Sequence, residues 1–139
     1  LNKSDIVSIH ANLVESTHHL IGEKQFNLMK PHALLINTAR GPIVDEKALV
    51  KALNAKIIAG AALDVYENEP SISKELIGME NVVLTPHIAS ATWEARIEMA
   101  TMAVNNVIDV LIKNKPPTNL VNKDVVTDTK GSQTITSLV

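Results

Sequence analysis

The 139-residue chain has a formal charge of −2, no cysteine, and a composition that is 45% hydrophobic but only 2% aromatic. That length suits one compact domain with an aliphatic core, and the missing cysteines exclude disulfides, zinc–thiolate sites and thiol catalysis. The slight negative charge argues against nucleic acid or an anionic membrane surface as the main partner, and no run of about 18 apolar residues offers a membrane span.

The opening Leu1-Asn2-Lys3-Ser4-Asp5 has neither a methionine nor the charged-then-apolar layout of a signal peptide. It reads as the middle of a longer cytoplasmic protein. Asp5 to His10 is rich in β-branched residues and predicts a first strand. A polar loop from Asn12 to His19 follows, then a short helix over Glu23–Met29 that Pro31 ends. Ala33–Asn37 predicts a second strand, apolar on both faces as in a sheet covered by helices on each side.

The chain then turns at Gly41-Pro42. Asp45 suits a helix N-cap, and Val44 and Leu49 have the spacing of a hydrophobic staple across it. Ala48, Leu49, Ala52 and Leu53 give that helix an apolar face. Ile57–Leu63 predicts a third strand, whose small Gly60, Ala61 and Ala62 suggest a close approach to the sheet. Asn81–Thr85 predicts a fourth. Ser90 or Thr92 can cap a long helix over about residues 90–113, with two apolar stripes that predict burial between two layers. Pro116-Pro117 stops it, and residues 116–139 form a polar tail. Strands alternating with helices imply a parallel α/β sheet with right-handed crossovers, one half of a doubly wound Rossmann-type nucleotide-binding domain.

Arg40, Asp64 and His87 each stand at or just beyond the end of a predicted strand, and Glu69 lies in the loop after Asp64. Carboxyl ends of parallel strands share one edge, where ligands bind in such sheets. A guanidinium there can hold a carboxylate with two parallel hydrogen bonds. A carboxylate beside a histidine favours the imidazolium, a proton donor near neutral pH. Singly, each has a commoner explanation as a turn residue or a solvated charge; the convergence of four on one edge carries the argument. His18-His19 lacks the further ligands of a metal site, and no metal is expected. His19 fits a structural loop position, His32 an exposed one, and His10 ends the first strand without chemistry assigned to it.

Three blocks, Asn37–Asp45 (NTARGPIVD), Leu63–Pro70 (LDVYENEP) and Thr85–Thr92 (TPHIASAT), resemble successive blocks of the D-isomer-specific 2-hydroxyacid dehydrogenases. The spacings fit as well, and the resemblance runs from about Asp5 to Asn122. It implies an oxidoreductase moving a hydride between NAD or NADP and a small 2-keto or D-2-hydroxy acid. Arg40 then resembles the arginine that holds the substrate carboxylate and keto oxygen, His87 the acid/base, and Glu69 the carboxylate that orients that histidine. Asp64 resembles the residue that bonds the nicotinamide carboxamide. Thr38, Ala39, Arg40 and the turn carrying His87, Ala89 and Ser90 resemble the cofactor-facing edge, as does Thr17. Asn12 stands where the family has a proline after an apolar residue.

The His87–Thr92 block is most similar to the glyoxylate/hydroxypyruvate reductase branch and leaves phosphoglycerate and D-lactate dehydrogenases open. None of the five glycines makes a G-x-G-x-x-G turn, so the pyrophosphate-binding part is expected upstream of Leu1. On this reading residues 1–115 are the C-terminal part of the NAD(P)-binding domain. Residues 116–139 then close a discontinuous substrate domain, and the full-length protein is a homodimer. The alternatives are a dinucleotide-sensing corepressor of the same family, which keeps similar residues, and an inactive fragment.

Overall fold

Four parallel strands in the order β1-β2-β3-β4 make the sheet of the computed structural model, which describes residues 1–123. They are β1 (Ile6–Ile9), β2 (Leu34–Asn37), β3 (Gly60–Leu63) and β4 (Val82–Leu84). The register pairs Val7 with Leu35, Leu35 with Ala61, and Ala61 with Val82, so these residues share one face. That face carries the core: Ile9, Leu35, Ala61 and Leu63 are buried with Phe26, Met29, Leu49, Leu53 and Leu76. The opposite face is open where the expected pattern has it covered: Ile6 is 59% exposed, Leu34 43% and Val83 63%.

Helix α1 (Glu23–Phe26) is shorter than expected, because Leu28 and Met29 continue it only as a tighter turn bonded to Gln25 and Phe26. Helix α2 (Glu46–Asn54) starts as the sequence indicates: Asp45 Oδ1 accepts the Ala48 amide at 3.0 Å, and Val44 and Leu49 are both buried. The third strand begins at Gly60 rather than Ile57. The Ile57 amide closes a turn onto Ala52 O at 2.8 Å, and Lys56 takes a left-handed φ of 55° that ends α2. A Cβ on Gly60 would lie 2.6 Å from the Asn81 carbonyl oxygen, so the close approach comes from the chain entering β4. The connection to β4 holds a short unpredicted helix, α3 (Lys74–Ile77), anchored by the fully buried Leu76.

The described residues group into two compact units divided between Ser90 and Ala91. The second contains helix α4 (Trp93–Leu111), capped by Thr92, whose hydroxyl accepts the Ala95 amide at 3.2 Å. No residue of α4 is buried, against the double burial expected from its two stripes; Trp93 is 82% exposed and Val104 57%. The chain after the helix returns to its last turns through Thr118 on Asp109 and Asn119 on Asn106. The expectation for the rest of the tail, residues 124–139, lies outside the described residues. Among the described residues no helix is long and apolar enough to cross a membrane.

Candidate active site

At the carboxyl end of β2 a buried amide shapes the turn. Asn37, 1% exposed, accepts the Ala39 amide at 3.1 Å and donates to the Arg40 carbonyl at 3.0 Å. This self-bonded turn presents Thr38 and Arg40 to solvent and leaves Ala39 half-buried. Gly41 comes next because nothing larger fits: a Cβ there would collide with the Tyr66 carbonyl. The Arg40 guanidinium is exposed, and its Nη1 donates only to the neighbouring Ala39 carbonyl, at 2.6 Å.

The end of β3 is organised by Asp64 and Tyr66, both buried. Asp64 Oδ1 accepts the Thr85 hydroxyl at 2.5 Å and the Ile88 amide at 2.8 Å, and Oδ2 accepts the Ala89 amide at 2.7 Å. Burial alone pushes this carboxyl upward. Those three donors, with the charge of His87, outweigh burial, and the net direction is below its ordinary value. Asp64 thus spends its oxygens on the turn that carries His87. Tyr66 donates its hydroxyl to the Thr85 carbonyl at 2.7 Å, tying the strap after β3 to the end of β4.

These contacts bring Glu69 to His87. Nδ1 of His87 donates to Glu69 Oε2 at 3.0 Å, and the Tyr66 amide donates to Glu69 Oε1 at 3.0 Å. The hydrogen bond from His87 is the main cause that holds the Glu69 carboxyl below its ordinary value; the Tyr66 amide and the Arg40 charge act the same way against burial. His87 takes a left-handed φ of 55°, unusual for a residue with a side chain and held by the flanking bonds to Asp64. With Nδ1 engaged, Nε2 is the ring nitrogen left for a proton transfer outward. A cleft of about 380 Å³ lined by Tyr66, Glu69, Pro70, Ile72, Pro86 and His87 adjoins the pair.

A second concavity, about 430 Å³, lies across the ends of β1 and β2, lined by His10, Ala11, Asn12, Leu13, Thr38, Ala39 and Arg40. Ala11, Thr38 and Ala39 are its small residues. Thr17 acts within its own loop, donating to the Asn12 carbonyl at 2.7 Å and accepting the Val14 amide at 2.8 Å, and so shapes the rim beside Asn12. Ala89 and Ser90 are exposed beyond His87, with the Ala89 amide committed to Asp64.

Sequence reasoning missed Asn37 and Tyr66 as positioning residues. Tyr66 carried a signal, since the one tyrosine of the chain needs a partner when buried. It also missed that His19 and Glu67 are paired, with Nε2 donating to Glu67 Oε1 at 2.9 Å.

Residues 1–89 match the sequence model of the D-isomer specific 2-hydroxyacid dehydrogenase, NAD binding domain. The chain is 54% identical over 127 residues to a glyoxylate reductase of Thermococcus litoralis, covering 91% of this chain and 38% of that protein. It is 58% identical over 127 residues to a glyoxylate reductase of Thermofilum pendens, covering 91% of this chain and 37% of that one. The crystal structure of a glyoxylate reductase from Paecilomyes thermophila superposes with a TM-score of 0.76 at 42% identity, over 81% of this chain and 34% of that chain. This chain therefore spans less than two fifths of the relatives it matches.

Proposed function

The chain belongs to the D-isomer-specific 2-hydroxyacid dehydrogenases, and from that premise we propose that the intact protein reduces a small 2-keto acid with NADH or NADPH, glyoxylate or hydroxypyruvate first. The observation that carries the reading is the Glu69–His87 pair, 3.0 Å apart on the sheet edge that also bears Arg40. Arg40 holds the substrate carboxylate and the keto oxygen through its exposed guanidinium. His87 delivers a proton from Nε2 to the keto oxygen, and in the reverse direction takes it back. Glu69 fixes the ring through Nδ1 and stabilises the imidazolium. The reduced nicotinamide, when bound, supplies the hydride. Asn12, Thr17, Thr38, Ala39, Arg40, Asp64, His87, Ala89 and Ser90 line or shape the ground where the cofactor lies, Asp64 and Thr17 by holding turns. In the same reading residues 116–139 lead into the substrate domain. The exposed apolar face of α4 supports a homodimer, and the protein works in the cytoplasm, where reduced nicotinamide cofactors are supplied.

The test is oxidation of NADH or NADPH by the intact protein with glyoxylate and hydroxypyruvate. Wild type turns over, and His87→Ala loses about a hundred- to ten-thousand-fold in kcat with cofactor affinity kept. Cofactor binding without turnover in wild type would return the protein to the dinucleotide-sensing reading.

A further inference from the structure

Beside the acid/base pair lies a second group of titratable side chains with no assigned role. Glu67 sits two residues before Glu69, on the same strap. Its Oε1 accepts His19 Nε2 at 2.9 Å, and its Oε2 accepts the Glu46 amide at 3.2 Å. The Glu67 amide in turn donates to Glu46 Oε1 at 2.6 Å, so the two glutamates are joined reciprocally. Glu46 is buried at the first turn of α2; burial is the main cause that raises its carboxyl above the ordinary value, and the Glu67 charge adds to it. His19 is held by its backbone as well: its amide donates to the Pro42 carbonyl at 2.8 Å, and its φ is 51°.

Each partner lies on a different loop of the site. His19 belongs to the segment after β1, just past Thr17. Glu46 begins α2, directly after the turn that presents Arg40. Glu67 belongs to the strap that carries Glu69. The strap is anchored on its other side by Tyr66, whose amide holds Glu69 Oε1 and whose hydroxyl holds Thr85. Gly41 lets the Arg40 turn press against that same Tyr66 carbonyl. Without the Glu67 carboxylate, the strap would lose its tie to His19 and to the Glu46 amide and keep only the Tyr66 contacts and the Glu67 amide bond to Glu46 before reversing at the Asn68–Ser71 bridge.

We propose that Glu67, braced by His19 and Glu46, is a positioning residue that sets Glu69 against His87 by locking the strap to the loops after β1 and β2. The proposal rests on the oxidoreductase reading for its kinetic consequences, but its structural consequence stands apart. Glu67 touches neither His87 nor the cleft beside it, so its effect must pass through Glu69. Glu67 is bonded to His19 from the first loop and Glu46 from α2 and shares a concavity with Lys47 and Lys51 of α2 and Glu75 of α3; the groups acting on Glu69 are His87 and Arg40.

The test compares Glu67→Ala, Glu67→Gln and His19→Asn in the intact protein, asparagine being chosen because it tolerates the positive φ of position 19. Two readouts are taken: kcat against KM for keto-acid reduction, and amide hydrogen exchange at Tyr66 relative to Leu35 in the middle of the sheet. Glu67→Ala and His19→Asn are expected to lower kcat about tenfold, within the cost of a slightly misplaced catalytic group, with both KM values within about twofold. The Tyr66 amide loses protection while Leu35 keeps it. Glu67→Gln, which keeps the length and one accepting oxygen, falls between wild type and Glu67→Ala. A kcat that stays at the wild-type level, a KM that rises in step with the loss, or a Tyr66 amide that loses no more protection than Leu35, overturns the proposal. Absence of turnover in wild type would instead sink the oxidoreductase reading, and the exchange comparison would then decide the clamp alone.

Discussion

His87 and Arg40 stand on the same edge of one sheet, yet the chain holds them in different ways. Around His87 nearly every polar group is committed: Asp64 takes three donors from the turn, Glu69 takes the ring, and Tyr66 ties the strap to the end of β4. Around Arg40 the backbone is set by Asn37 and Gly41, but the guanidinium bonds only its neighbour's carbonyl. In the proposed function the difference follows from the task of each group. A proton donor must be in place before substrate arrives, because misplacement costs rate directly. A carboxylate holder gains its second partner from the substrate, and its charge steers that partner in. On that proposal one side is prebuilt, and the other is completed by the substrate.

If that contrast is right, the two sides break differently. At Arg40 the effect is expected in the kinetics alone. Arg40→Ala should lower kcat/KM for the keto acid about a hundredfold, the scale of a lost charge-assisted bidentate contact. Thermal stability should be unchanged, since the side chain is exposed. Steady-state kinetics with a melting curve checks both; a variant that melted earlier but kept its kinetics would erase the distinction.

Asp64 should behave in the opposite way. Asp64→Asn puts an amide hydrogen against the Ile88 and Ala89 amides or the Thr85 hydroxyl, and a buried donor left unpaired costs about 1–3 kcal/mol. The melting temperature should fall, and exchange at the Ile88 and Ala89 amides should quicken. Because this carboxyl is held below its ordinary value of 3.8, the wild-type contribution is present above that pH and is lost as pH falls through the folded value. The stability gap between wild type and variant should therefore close in strong acid; a gap that is constant with pH would show that the carboxylate charge is not what holds the turn.

Much of this edge is readable in the chain itself. Arg40, Asp64 and His87 could be placed at strand ends because apolar runs stop there, and parallel topology does the rest. Asp45 was legible as a cap for a local reason, its three-residue reach to the Ala48 amide. What stayed hidden depends on partners distant in sequence or on backbone amides, which leave no trace in residue type. Asp64 bonding the amides of Ile88 and Ala89 is one case, and the Glu46–Glu67 pair, 21 residues apart, is another. The start of β3 was misjudged because Ile57 is apolar whether it extends a strand or closes a turn. The two stripes of α4 showed where apolar surface lies but not what covers it.

The proposed chemistry turns on the pairing of Glu69 with His87, and the pH profile of Glu69→Gln is its most direct test. Glutamine keeps the length and a hydrogen-bonding oxygen but removes the charge that stabilises the imidazolium. In wild type the Glu69 carboxyl is held below its ordinary value of 4.5, so it stays ionised, and the pair intact, until pH falls through that lowered value. Glu69→Gln should lower kcat for keto-acid reduction and remove the acid-side dependence that follows protonation of the Glu69 carboxyl. A profile that superimposes on wild type would contradict the assignment of His87 and Glu69 as the acid/base pair.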